Sequence, residues 1–143
     1  MGIEELVNNM TQYLKEEDTR PLACSNSAIA AADKRFHHSF GCVLPEAYKR
    51  VLQCADGIYH NGLIVWPIGK SPLFHETIFE ANENLRESPD DDFLYFGNMD
   101  EELYIFDIQR QQYCAIEYAG RSIWNEFKDD LEMFEFMLPR AWG

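Results

Sequence analysis

The sequence predicts an α+β fold: a mainly antiparallel sheet of about four or more strands, with helices packed on one side. Three observations predict it. Residues 93–118, FLYFGNMDEELYIFDIQRQQYCAIEY, contain three runs (FLYFG, LYIFDI and YCAIEY) rich in aromatic and β-branched residues, which suit a pleated, half-buried surface. The connections between these runs, residues 98–102 and 109–112, are short and polar, so the runs return antiparallel as a meander. On either side lie stretches whose apolar residues recur at helical spacing.

In chain order, Ile3, Leu6, Val7, Met10, Tyr13 and Leu14 mark an amphipathic helix that ends before Pro21, whose ring disfavours helix in the residue ahead of it. Ser25, Asn26 and Ser27 offer capping oxygens for a second helix over residues 28–38, with Gly41 suited to its exit. A third helix follows in LPEAYKRVLQCADG. There Pro45 is tolerated in the first turn, Leu44, Tyr48, Val51, Leu52 and Ala55 share a face, and Asp56-Gly57 ends the helix. GLIVWPI, residues 62–68, is an apolar run short enough for a buried strand, with Pro67 at its end or on an edge. Residues 74–87 read as helix, and Ser88-Pro89 breaks it before the meander. After Gly120, Ser122 caps a final helix that carries Ile123, Trp124, Phe127, Leu131, Phe134 and Leu138 inward until Pro139.

Bulk composition narrows the function classes. With 143 residues, 46% hydrophobic, the chain is long enough for one domain with a real core, and residues 1–143 read as that single domain. A formal charge of −13 repels nucleic-acid phosphates and anionic lipid, and draws basic partners in. No stretch approaches the roughly 20 apolar residues of a membrane helix, and the N-terminus lacks a signal-peptide pattern, so a cytoplasmic protein is expected. Cys24, Cys42, Cys54 and Cys114 have neither paired nor regular spacing, and read as reduced, mostly buried thiols.

Catalytic patterns fail their own spacing tests. His75-Glu76 starts like a zinc-protease helix, but Phe79 stands where the second His is required. Asp90-Asp91-Asp92 lacks calcium-loop spacing, because Tyr95 occupies the glycine position. His37, His38 and His60 have no nucleophile at motif distance, and no Gly-rich phosphate loop is present. No enzyme activity, metal or cofactor is expected. The basic pairs Lys34-Arg35 and Lys49-Arg50 are too short for a phosphate track.

Two segments resemble the SUKH superfamily, the group that includes the yeast Smi/Knr cell-wall regulators. LPEAYKRVLQCADG is similar to that family's L-P-x-x-Y/F-x-x-x-L helix and polar-Gly turn. LYFGNMDEELYIFD is similar to its second mark, in which a strand ends in Gly (Leu94, Gly97), a polar turn follows (Asn98, Glu102), and a second strand closes on Asp (Leu103, Asp107). The resemblance spans roughly residues 28–136. Ala55-Asp56-Gly57 replaces the family's more usual Asn-Gly turn, and the turn after Gly97 is unusually acidic. The resemblance implies an α+β domain in which Leu44, Pro45 and Tyr48 anchor a helix, Gly97 permits a tight exit and Asp107 bonds to a neighbouring turn.

It also implies a role. Bacterial members commonly act as immunity proteins that bind and neutralise polymorphic toxins, often nucleases, and a fungal relative is an interaction module. Combined with the charge, this predicts a non-enzymatic immunity protein for a basic, nuclease-type toxin domain, with no nucleic-acid or membrane partner. The alternative is a housekeeping interaction module of Smi/Knr type without a toxin partner. The contact residues expected are Asp90, Asp91, Asp92, Asp100, Glu101, Glu102 and Tyr104, with Tyr59 and Tyr113 as further aromatic anchors. Along LYIFDI, Tyr104, Phe106 and Ile108 alternate with Leu103, Ile105 and Asp107, and an open Tyr104 side would form an apolar docking patch.

Overall fold

A six-stranded sheet carries the fold, its strands side by side in chain order: β1 (Ile58–His60), β2 (Leu63–Val65), β3 (Phe93–Met99), β4 (Glu102–Asp107), β5 (Gln112–Glu117) and β6 (Ile123–Phe127). All five pairings are antiparallel. The computed structural model describes residues 2–15, 21–86 and 91–142. Its helices are α1 (Ile3–Lys15), α2 (Asn26–Phe40), α3 (Glu46–Leu52), α4 (Ile78–Leu85) and α5 (Asp130–Met137), with a 3₁₀ turn at Leu138–Trp142. This is the predicted α+β architecture, with helices packed on one side of the sheet.

Local chemistry sets the element ends. Ser25 accepts a hydrogen bond from the Ala28 N–H at 3.1 Å, and Gly41 closes α2 in the left-handed region at φ +80°. Pro45 begins α3 but has no side-chain acceptor to cap it. The carboxylate of Asp130, from the start of α5, takes the Ala47 N–H at 2.8 Å instead. Tyr48 is fully buried against the rings of Phe96 and Phe134, and its hydroxyl donates to the Trp66 carbonyl at 2.6 Å. The motif residues of α3 thus tie helix to sheet. Asp107 accepts from the Arg110 N–H at 3.2 Å, which braces the next turn.

Gly97 sits beneath Met137 of α5. A Cβ there would lie 2.6 Å from Met137 Sδ and 3.1 Å from the Ile64 carbonyl, so the position needs hydrogen in place of a side chain. Beside it, where β2 stops, the fully buried Asn82 of α4 continues the ladder: its amide takes the Tyr95 N–H at 2.8 Å and donates to the Tyr95 carbonyl at 3.0 Å. A side chain therefore satisfies backbone groups that a longer β2 would have paired.

Three expectations need correction. Residues 123–127 are the edge strand β6, not the start of the last helix. Ile123 and Trp124 are exposed on it, and Ser122 caps nothing. The helix starts seven residues after Ser122, at the cap Asp129, whose side chain accepts from the Glu132 N–H at 2.9 Å. Pairing of Ala115 with Asn125 and Tyr113 with Phe127 outweighs a helical periodicity that ran by coincidence across two elements. The fourth helix is shorter than expected, because Thr77 and Glu80 form a capping box that fixes its start at Ile78. Residues 58–60, assigned to no strand from sequence, form β1 in a hairpin turned by Asn61 and Gly62, both at positive φ.

Candidate functional site

Antiparallel strands in chain order put alternate connections at alternate ends of the sheet. The tips at Asn61-Gly62, Asp100-Glu101 and residues 118–122 therefore share one end. The register confirms it, since Leu63, Met99, Glu102 and Glu117 form one row across β2 to β5. Asp92 and residues 108–111 lie at the other end, where the Ile108 N–H donates to the Asp92 carbonyl at 2.8 Å. The seven residues of β3 hold Asp92 and Asp100 about 25 Å apart. The two acidic groups expected as contact residues are thus at opposite ends.

At the first end, Asp100 takes φ +54° at the tip and is exposed, as is Glu101. The Glu101 carbonyl accepts from the Tyr118 N–H at 2.6 Å, which binds the β3–β4 tip to the β5–β6 connection. Glu117 is held nearby by the Gly120 N–H at 3.1 Å and the Ser122 hydroxyl at 3.3 Å. Asp100, Glu101, Glu117, Tyr118 and Ala119 line a recess of about 370 Å³. Tyr118 is 50% exposed at its rim, and Ile123 and Trp124 stand exposed on the neighbouring edge strand. Apolar side chains beside three carboxylates can bury area against a partner while selecting its charge.

The remaining predicted contact residues have other tasks. Tyr104 is fully buried on the helix-covered side, its ring against Phe136, so it is not an open anchor and its side of β4 is no apolar docking patch. Glu102 is also buried, ion-paired with Arg140, which donates to the Tyr104 hydroxyl at 2.7 Å. Burial, then the neighbouring Glu102, holds the Tyr104 phenol well above its ordinary pKa, so it stays protonated. Asp91 accepts from the Tyr95 hydroxyl at 3.1 Å and pairs with Arg121 at 3.5 Å. Asp92 is exposed at the far end, and Asp90 lies outside the described residues. Tyr59 is exposed on β1, while Tyr113 is half-buried against Phe106, with ring centroids 4.6 Å apart.

Glu117, Tyr118 and Trp124 were not anticipated. Asp129, with Glu132 three residues on, is a helix-start signal that would have freed residues 123–127 to be a strand. Nothing local reveals that Tyr118 meets Glu101, because that contact depends on the β4–β5 register. Among the described residues, no group of three His, Cys, Asp or Glu side chains is placed to hold a metal ion. Among the described residues, no helix is long and apolar enough to cross a membrane.

Compared with known proteins, residues 23–135 match the model of the SMI1 / KNR4 family (SUKH-1). No curated protein matched the chain. The match takes in α2 to α4, all six strands and most of α5.

Proposed function

We propose, from the premise that this chain belongs to the SMI1 / KNR4 family (SUKH-1), that it is a non-enzymatic binding protein whose acidic sheet end captures and neutralises a basic toxin domain of nuclease type. The observation that carries this reading is the joining of two tips, in which Asp100, Glu101 and Glu117 surround an exposed Tyr118. A nuclease needs a cationic surface for its phosphate substrate, and this surface has the complementary sign in a chain of charge −13. Steering of that kind brings association towards about 10⁸ M⁻¹s⁻¹ at low salt, which suits an antidote that must act before the toxin cuts. Asp100 and Glu101 remain contact residues in this proposal. Glu117, Tyr118 and Trp124 join them, and Glu102 and Tyr104 hold the frame.

The test is to read the neighbouring open reading frame for a cationic effector domain and to measure surface-plasmon binding to it, at several salt concentrations. Asp100→Lys with Glu101→Lys is expected to slow association at least about tenfold, while Asp92→Lys at the far end leaves it within about twofold. An effector that does not bind at all sinks the antidote reading. Tight binding of an uncharged partner, indifferent to salt and to these substitutions, would favour an interaction module of Smi/Knr type.

A further inference from the structure

A groove of about 790 Å³ lies at the opposite end of the sheet from the acidic tips, between α2, residues 21–25 and residues 68–73. Its lining is mainly apolar: Ala28, Ala31 and Ala32 of α2 contribute, with Phe79 beside them and Leu73 at the rim. Two further observations give it a character the rest of the surface lacks.

The first is charge. Several described cations are spent in ion pairs: Lys49 with Asp33, Arg50 with Glu4, Arg110 with Glu126, Arg121 with Asp91 and Arg140 with Glu102. Arg35 and Lys70 both line the groove, and neither has an ion-pair partner among the described residues. The Arg35 guanidinium carbon stands over the Phe79 ring, 3.9 Å from its centroid, and the residue is exposed. The one carboxylate in the lining, Asp56, is already occupied. It accepts from the Ile68 N–H at 2.7 Å and the Gly69 N–H at 3.1 Å, and the Cys24 thiol lies beside it.

The second is backbone. The Leu22 carbonyl accepts from the Asp56 N–H at 2.8 Å, and the Cys24 N–H donates to the Leu52 carbonyl at 2.9 Å. Bonding at alternate residues is the pattern of an extended strand, and it turns the N–H and C=O of Ala23 to the other side. Ala23 is exposed, lines the groove, and has no hydrogen-bond partner among the described residues.

We propose that this groove is a docking site for an acidic peptide in extended conformation. The peptide backbone pairs with Ala23, alternate apolar side chains enter over the alanines of α2, and carboxylates meet Arg35 and Lys70. A basic partner suits the other end of the sheet and is repelled by Arg35 and Lys70 here. This site therefore stands independently of the toxin-binding reading.

The experiment is selection from a displayed library of random short peptides against the whole chain, followed by anisotropy titration of an enriched peptide made synthetically. Enriched sequences are expected to alternate Asp or Glu with apolar residues. Arg35→Glu with Lys70→Glu should weaken binding at least about tenfold, and Ala31→Trp, which fills the groove, about as much. Ala23→Pro removes only the free N–H and leaves both neighbouring bonds, so a several-fold loss there reads the backbone contact directly. Arg35→Gln with Lys70→Gln serves if the reversal lowers the melting temperature. Enrichment of basic or neutral peptides, no enrichment, acidic peptides indifferent to these variants, or a groove closed by dimerisation in sedimentation would each overturn the proposal.

Discussion

Gly97 shows how one hydrogen atom can decide an interface. It is central in β3, beneath Met137, and a methyl group would force the thioether or the Ile64 carbonyl away. Gly97→Ala is expected to destabilise the fold by about 1–3 kcal/mol in urea titration, the ordinary cost of overpacking a core, despite the gain in strand propensity. An unchanged midpoint would mean that α5 yields freely. Cys24 makes the opposite point about an atom that looks reactive and is not. Burial, and after it the charge of Asp56, pushes its thiol from 9.0 to about 12. At pH 9 only about one such thiol in a thousand is ionised, against half in a free cysteine. Alkylation of Cys24 in the native chain should therefore be slower by a factor of hundreds than after unfolding, read by mass spectrometry of quenched samples. The sign for stability follows: the contribution is complete below pH 9 and falls away as pH rises towards 12, because the unfolded thiol gives up its proton first.

At the scale of elements, β6 separates two readings of the same letters. A helix over residues 122–138 would bury Trp124, and Trp124→Ala would then cost the 3–5 kcal/mol of an emptied core. As an edge-strand residue 46% exposed, Trp124 should cost no more than about 1 kcal/mol in thermal denaturation. Asp129→Ala, which removes the true cap of α5, should cost about 0.5–2 kcal/mol. The reverse ranking would restore the helix. The meander was legible because β3, β4 and β5 each carry aromatic residues, joined by isoleucine in β4 and β5, and their turns are short and polar. The edges were not. β1 alternates in burial but over only three residues, too few to register, and β6 exposes its first four, so neither offers a period-two run long enough to be recognised as a strand. The acidic tip at Asp100-Glu101 was legible as a turn. Its union with Glu117 and Tyr118 was not, since pairing between strands leaves no mark within either one.

For the whole molecule, the question is whether a charge of −13 acts as a field or is cancelled locally. Local cancellation is real on the helical side, where Asp33 with Lys49 and Glu4 with Arg50 lie within ion-pair distance. The Arg50 guanidinium beside Glu4 holds that carboxyl down at about 2. The joined tips contain Asp100, Glu101 and Glu117 with no cation paired to them among the described residues, so part of the surplus stands uncancelled at that end. Surplus charge repels itself, and that repulsion is screened once the Debye length shrinks from about 30 Å at 0.01 M salt to about 8 Å at 0.15 M. Across that range the melting temperature of the free chain should rise by about 3 °C in calorimetry, because screening relieves more repulsion than it removes attraction in exposed ion pairs. Neutralising the tips with Asp100→Asn, Glu101→Gln and Glu117→Gln together should shrink the rise, whereas Asp92→Asn alone should leave most of it. A melting temperature that falls with salt would show that the ion pairs dominate. The acidic end would then lack the field that its capture of a basic partner requires.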